Sequence, residues 1–375
     1  MRVLHVQKVK GLGGSERHLL DLLPALAREG HEVRMYIATT GEADRFLVEL
    51  QRRGVDTRAV PAGPHVNPLL FARLSAEVRR YQPDLVHTHL LHADLHGQPA
   101  ARMWGVPAVS SVHSAHKFYR RQPVRLVGTA ACRLATRTIT ISEHVRRFAV
   151  DVGLNRPGAI RVVPYGVDAG DWEVSGEQRG RAREALGLGE GDVAVAMAAR
   201  MVSDKGHDVL LDAFDKAVSS ASQLRLLIAG DGPLEGAIRA RAARHPADRI
   251  RILGFVDDMH ALFAASDIVV FPTMPALSEG FGLVALEAGA SGLPVVATDV
   301  GALPEVVTHL QTGIVIPPGD PDALAKALIS LLRDPSLRRR LGRAAAERAK
   351  ARFGLDGMVA RTLAVYDEVL AIRGN

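Results

Sequence analysis

Along most of its length the chain alternates short apolar, β-branched runs with stretches that are apolar at helical spacing. That alternation is what a parallel sheet covered on both faces requires. A first series of strand-like runs covers residues 2–9, His31 to Thr39, Val55 to Val60, Asp84 to Thr88, Ala108 to Val112, Thr138 to Ser142 and Ile160 to Pro164. A second begins at Val193 to Ala199 and continues through Leu224 to Ala229, Arg251 to Val256, Ile268 to Phe271, Val295 to Thr298 and Thr312 to Pro318. Between them, Ala169 to Gly191 is polar and glycine-rich until a short helix near Arg179 to Leu186, as a linker between domains would be. The reading is α/β: two Rossmann-like parallel-sheet domains facing a cleft, residues 1–167 and 168–352, with a hinge near Tyr165 to Gly180 and a last helical stretch over 353–375. A chain of 375 residues, 47% of them hydrophobic, is long enough for about two such cores.

Ligands on parallel sheets collect at the carboxyl ends of the strands, so the loops there carry the functional reading. The most informative follows the run ending at Phe271: Glu279-Gly280-Phe281-Gly282, then an apolar helix over Leu283 to Ala290 that stops at Gly292 and Pro294. Glycines before a helix give a sharp turn and bare N–H groups, a seat for an anion. Glu279 and Glu287 bring two carboxylates to the same element, able to bind hydroxyl groups. Carboxylates beside an anion seat suggest a ligand with both sugars and phosphates. After the strand Val193 to Ala199, Arg200 and Lys205 set two cations across a loop, suited to clasp a diphosphate.

In the first half, Gly11-Leu12-Gly13-Gly14-Ser15-Glu16 joins a strand to an amphipathic helix, Glu16 to Arg28. It is not the dinucleotide fingerprint, because Glu16 takes the place of the third glycine and no acidic residue ends the next strand. His113 follows directly on Val112 at another strand end. His87, His89, His92 and His96 invite a metal reading, but no acidic or cysteine partner is spaced to complete a site, and the chain has no Asp-x-Asp triplet. No metal is expected.

Glu279-Gly280-Phe281-Gly282 followed by Glu287 resembles the signature of glycosyltransferase family 4, retaining enzymes of the GT-B fold. The resemblance spans nearly the whole chain and is most specific between Ala198 and Glu305. It implies that Glu279 approaches the donor sugar, that Gly280, Phe281, Gly282 and Leu283 meet sugar and diphosphate through the backbone, and that Glu287 holds the ribose. Arg200 and Lys205 would neutralise the leaving diphosphate, although Ala199 stands where the family has glycine. Gly254, Phe255 and Val256 would lie against the nucleobase, while Gly13, Gly14 and His113 would line the donor site from the first domain. The catalytic set implied is His113, Arg200, Lys205 and Glu279. Tyr165, before Gly166, stands where the family normally has asparagine. The last helix, 353–375, would pack back on the first domain.

The activity implied is transfer of a sugar from a nucleotide diphosphate donor to a small-molecule, lipid-linked or glycan acceptor, with no obligatory metal and no other cofactor. An epimerase or hydrolase on the same fold is an alternative, since a fold does not fix a reaction. A net charge of +6 and pI near 9.7 fit an anionic ligand, a nucleic acid or an acidic membrane surface. Nucleic acid is disfavoured: base stacking needs exposed aromatics among the arginines, and aromatics are 5% of the chain. The basic run Leu337 to Arg352 reads as a solvated helix face. Lys117 to Arg121 offers charge to an anionic or lipid-linked acceptor, but a solvated loop is the favoured reading. There is no run of about 18 apolar residues, and the N-terminus reads as strand and turn, so a cytoplasmic protein, with room for contact at the inner face of the membrane, is expected. The single cysteine, Cys132, excludes an internal disulfide and reads as packing.

Overall fold

Val193 to Ala198 is buried at every position, as a parallel strand with helices on both faces must be. In the computed structural model, which describes residues 1–41, 44–64, 66–218, 221–275 and 279–374, this strand lies within one of two compact units: Met1–Gly166 with Leu355–Asn375, and Val167–Gly354.

The first unit holds strands β1 (Arg2–Val9), β2 (Glu32–Thr39), β3 (Asp56–Pro61), β4 (Leu85–His89), β5 (Ala108–Val112), β6 (Arg137–Thr140) and β7 (Ile160–Val162). Its helices are α1 (Gly14–Arg28), α2 (Asp44–Arg52), α3 (Pro68–Tyr81), α4 (Leu90–Met103), α5 (Val124–Cys132) and α6 (Glu143–Asp151). The second unit holds α7 (Gly176–Ala185), β8 (Val193–Ala198), α8 (His207–Val218), β9 (Leu224–Ala229), α9 (Glu235–Ala242), β10 (Ile250–Gly254), α10 (Met259–Ala265) and β11 (Ile268–Phe271). It continues with α11 (Leu283–Ala290), β12 (Val295–Thr298), α12 (Leu303–Val306), β13 (Gly313–Ile316), α13 (Pro321–Arg333) and α14 (Pro335–Phe353), and α15 (Leu355–Gly374) ends the chain. All strand pairs are parallel, in the orders β3-β2-β1-β4-β5-β6-β7 and β10-β9-β8-β11-β12-β13. In each sheet the order reverses beside the first strand, and ligands settle at such switch points.

Helix starts follow their capping residues. Asn67 accepts from the N–H groups of Leu69 and Leu70 ahead of Pro68, Ser142 accepts from Val145, and Asp320 accepts from Ala323. Helix α15 joins the first unit because its apolar side chains are spent there. Met358, Val359, Val365, Tyr366 and Val369 are buried in the same core as Val3, Leu19 and Leu22, and full burial of such side chains is worth about 1.5–3 kcal/mol each. Arg137 and Arg161 both donate to Glu368 on its flank.

Three details differ from the sequence reading. Helices α2, α9 and α10 lie in stretches for which no helix was predicted, although α2 carries an apolar stripe that buries Phe46 and Leu50. Helix α4 begins at Leu90, directly after β4, rather than beyond Ala93. Residues 169–191 are no free linker: Arg179 and Arg183 of α7 both donate to the Asp267 carboxylate, which also accepts from the Ala194 N–H, so α7 belongs to the second unit. The stretch reads as linker in sequence because the partner lies more than eighty residues away.

Cys132 is buried, and its S–H donates to Asp94 at 3.3 Å; burial holds the thiol well above its usual range and pushes the Asp94 carboxyl up to about 6.

Candidate functional site

In the second unit the loops at the carboxyl ends of the strands are stitched to one another through the backbone. Lys205 ends a short turn after β8, and Gly206 beside it has φ 76, where a Cβ would stand 2.0 Å from the Pro272 carbonyl oxygen. Glycine alone lets this loop press against the end of β11. The Met274 N–H then donates to the Asp204 carbonyl at 2.8 Å. Gly301, after β12, plays the same part for the acidic loop: a Cβ there would lie 2.2 Å from the Glu279 carbonyl oxygen, which accepts from the Ala302 N–H at 2.9 Å.

With both backbones held, Lys205 Nζ donates to Glu279 Oε2 at 2.7 Å, the two side chains being 18% and 20% exposed. The sequence reading assigned these residues to different parts of one ligand; the structure joins them directly. The pairing holds both side chains in one orientation. Gly282 is the N-cap of α11 with φ 90, and no side chain caps the helix, so its first N–H groups suit an anion. Phe281 is buried edge-on against Phe353, and Glu287 is buried one turn into α11. Arg200 is exposed and pairs with neither Lys205 nor Glu279. Gly254 ends β10, its carbonyl accepting from the Gly230 N–H at 2.6 Å, and Phe255 beyond it is about half exposed. Residues 276–278, within the stretch preceding Glu279, lie outside the described residues.

In the first unit Gly13 is the N-cap of α1 and its N–H donates to Glu16 Oε2 at 3.0 Å. Glu16 also accepts from Ser15 Oγ and from Gln7 Nε2; burial raises its carboxyl above the usual range while these bonds pull it down. Gly14 begins the helix and is exposed. His113, past the end of β5, is buried with both ring nitrogens engaged: Nδ1 with the Tyr165 hydroxyl at 2.6 Å and Nε2 with His89 Nδ1 at 3.0 Å. The ring of His18 stacks on Tyr165 with centroids 4.4 Å apart.

The histidines of β4 also part company with the sequence picture. His92 and His96 do neighbour each other on α4, but His96 is spent: Nδ1–H donates to the His92 carbonyl and Nε2 accepts from the Asn67 N–H. His87 and His89 instead meet His5 of the adjacent strand β1. Burial lowers His5 and His113 to about 3 and takes His18, His87 and His89 well below the usual range, so all five are neutral. His5, His18, Glu16, Tyr165 and Tyr366 were absent from the predicted set. A signal existed: His5 and Gln7 in β1, and His87 and His89 in β4, sit two residues apart and so share one face of otherwise apolar strands. In the basic segment, the side chains of Lys117 and Phe118 lie outside the described residues, Tyr119 is buried, and Arg120 lies over the Phe148 ring. Among the described residues no helix is long and apolar enough to cross a membrane.

Residues 12–171 match the family model described as Glycosyltransferase Family 4, and residues 178–348 match that described as Glycosyl transferases group 1. The D-inositol 3-phosphate glycosyltransferase of Streptomyces avermitilis is 30% identical, over 97% of this chain and 84% of its own. That of Streptomyces scabiei is 32% identical, over 97% and 88%. Among solved structures, the complex of Anabaena HepE with UDP-glucose superposes with a TM-score of 0.85 over 98% of this chain and all of its own, at 22% identity. That likeness, with the two parallel sheets, identifies the fold as GT-B.

Proposed function

Because the chain belongs to glycosyltransferase family 4 and is a glycosyltransferase, we propose that it moves a sugar from a nucleoside diphosphate donor to an acceptor hydroxyl, with retention at the anomeric carbon and with no obligatory metal. The observation that carries this reading is the Lys205–Glu279 pair at 2.7 Å beside the uncapped start of α11, a cation and a carboxylate at one anion seat.

Expelling the nucleotide is the hard step. Charge grows on the departing diphosphate, and Lys205, Arg200 and the N–H groups near Gly282 and Leu283 are the groups that would meet it, each charged contact worth ~1.5–3 kcal/mol. Glu279 would turn to a hydroxyl of the sugar, with Gly280 and Phe281 lending backbone, and Glu287 to the ribose. Gly254, Phe255 and Val256 would border the base, and Gly13, Gly14 and His113 would serve the sugar and phosphates. The acceptor oxygen bonds to the anomeric carbon as the carbon–oxygen bond to phosphate breaks on the same face, and the acceptor proton passes to the leaving phosphate. The products are a glycoside and a nucleoside diphosphate. Two cations and a helix start supply this stabilisation without a divalent ion.

The test is a donor panel scored by nucleotide release and thermal shift, since a ligand bound to the folded state raises its apparent stability. UDP-glucose comes first, as the ligand of HepE, and inositol phosphates lead the acceptors, as the substrates for which the relatives are named. Expected are acceptor-dependent release of the nucleoside diphosphate and an anomeric configuration unchanged from donor to product. Release at equal rates with and without acceptor, or an inverted product, would overturn the reading.

A further inference from the structure

Behind His113 the core of the first unit holds an unbroken hydrogen-bonded file. His113 Nε2 meets His89 Nδ1 at 3.0 Å, His89 Nε2 meets His5 Nδ1 at 2.9 Å, and His5 Nε2 lies 3.4 Å from the hydroxyl of Tyr366, which α15 brings in. Tyr366 is also 2.6 Å from His87 Nδ1, and His87 Nε2 is 2.8 Å from Ser111 Oγ. At the near end, His113 Nδ1 meets the Tyr165 hydroxyl at 2.6 Å. We propose that this file fixes His113 in its Nε2–H form, so that Nδ1 is a hydrogen-bond acceptor for a hydroxyl, with His5, His89 and Tyr366 as positioning residues.

The assignment follows from counting protons. A neutral imidazole has one N–H and one lone pair, and each nitrogen–nitrogen contact in the file holds one proton. His5, His89 and His113 must therefore all be Nε2–H or all Nδ1–H, and no one of them can change alone. The far end chooses. Tyr366 has a single proton, and the 2.6 Å separation from His87 Nδ1 marks that nitrogen, not His5 at 3.4 Å, as its acceptor. His87 Nε2–H is then left to donate to Ser111. His5 Nε2, were it a lone pair, would have no donor, and an unsatisfied polar atom at full burial costs about 1–3 kcal/mol. It carries the proton instead, giving it weakly to the Tyr366 oxygen. His89 then donates from Nε2 to His5 Nδ1, and His113 from Nε2 to His89 Nδ1. His113 Nδ1 is left as the lone pair that takes the Tyr165 proton, again at 2.6 Å.

A hydroxyl of a bound sugar can replace that of Tyr165 without disturbing the file, which is where the inference rests on the donor-site reading above. It excludes the competing use of the cluster. His5, His87 and His89 have nitrogen atoms within 4.8 Å of one another, a spacing that could hold a metal, but an ion there would take the lone pairs the file already uses and bring its charge into a site with no carboxylate among these residues.

The test is ring-nitrogen NMR on the full chain labelled with ¹⁵N-histidine, free of ligand, the His113 signals being assigned by their loss in His113→Gln. Expected are protonated Nε2 and pyridine-like Nδ1 at His5, His89 and His113. In Tyr366→Phe the far anchor is lost, so His113 should gain the Nδ1–H form, and KM for UDP-glucose should rise about fivefold, the equivalent of one neutral hydrogen bond, with the affinity for UDP unchanged. A purely packing role would leave the His113 nitrogens as they were. Nδ1–H at His113 in the wild type, metal-shifted nitrogens at His5 and His89, or His113 signals unmoved in Tyr366→Phe would each overturn the proposal. Should Tyr366→Phe fail to fold, the wild-type spectrum decides. Absence of wild-type turnover with UDP-glucose would count against that donor alone, because the spectra are taken without ligand.

Discussion

The two sheets share a strand order about their first strands, yet their cores are opposites. In the second unit β8 and β11, VAVAMA and IVVF, are apolar throughout, and the core around them is aliphatic with Phe214. The strands at the same places in the first unit, β1 and β4, bury His5, Gln7, His87, Thr88 and His89. A parallel sheet needs no polar side chain inside, and burying one costs free energy unless it is hydrogen-bonded. The two units therefore carry their polar groups in different places. The second holds a charged pair on loops over an inert sheet; the first builds its polar network into the sheet and lets only its end, at His113, approach the surface.

Acid should break the comparison most visibly. The five neutral histidines of the first unit have folded pKa values below their unfolded ones, so the unfolded state binds more protons and stability falls as pH drops below about 6.5, continuing toward 3. Asp94, raised to about 6, and Glu16, also raised by burial, act in the opposite sense, each between its ordinary value and its raised one, two groups against five. In the second unit burial lowers His207 to about 4. Trp104 lies in the first unit and Trp172 in the second. Urea unfolding followed by fluorescence in Trp172→Phe and Trp104→Phe at pH 7.5 and 5.5 should show the first unit losing several kcal/mol and the second far less. Equal losses would mean that the histidines are not neutral in the fold.

Lys205→Ala should lower kcat by ~10²–10³, as removal of a preorganised electrostatic donor does, and should weaken binding of free UDP, read by calorimetry. Normal UDP affinity would detach the loop charge from the leaving group. Glu279→Gln should reduce turnover by about 10², the scale of a misplaced reacting centre, yet bind UDP no worse than the wild type, because Lys205 loses its internal competitor. Weaker UDP binding in that variant would show the pair acting as one structural unit. Smallest of all, EDTA should leave the rate within about twofold; a full loss restored by magnesium would show that the leaving diphosphate is held by a divalent ion.

Much of this was legible in the residues. Periodicity located every strand and most helices, since a buried strand must be apolar and a long helix shows its stripe whatever lies elsewhere; it passed over α2, α9, α10 and the first turn of α4. The spacing of Glu279, Gly280, Gly282 and Glu287 was equally local, a turn and one helix. Local pattern also misled: the polar stretch at 169–191 read as linker because Asp267, which holds Arg179 and Arg183, is distant in sequence.

What sequence alone determined was thus the alternation, the turns and the kinds of charge available at each strand end, all properties of neighbours within a few residues. The direct pairing of Lys205 with Glu279 across 74 positions, and the joining of His113 to Tyr366 of α15 through His89 and His5, were decided only when strands from distant segments came into register. The physical reason is burial. A histidine in a strand is only a polar residue until the sheet takes its water away, and then it must find a partner among whatever side chains the fold has brought within 3 Å.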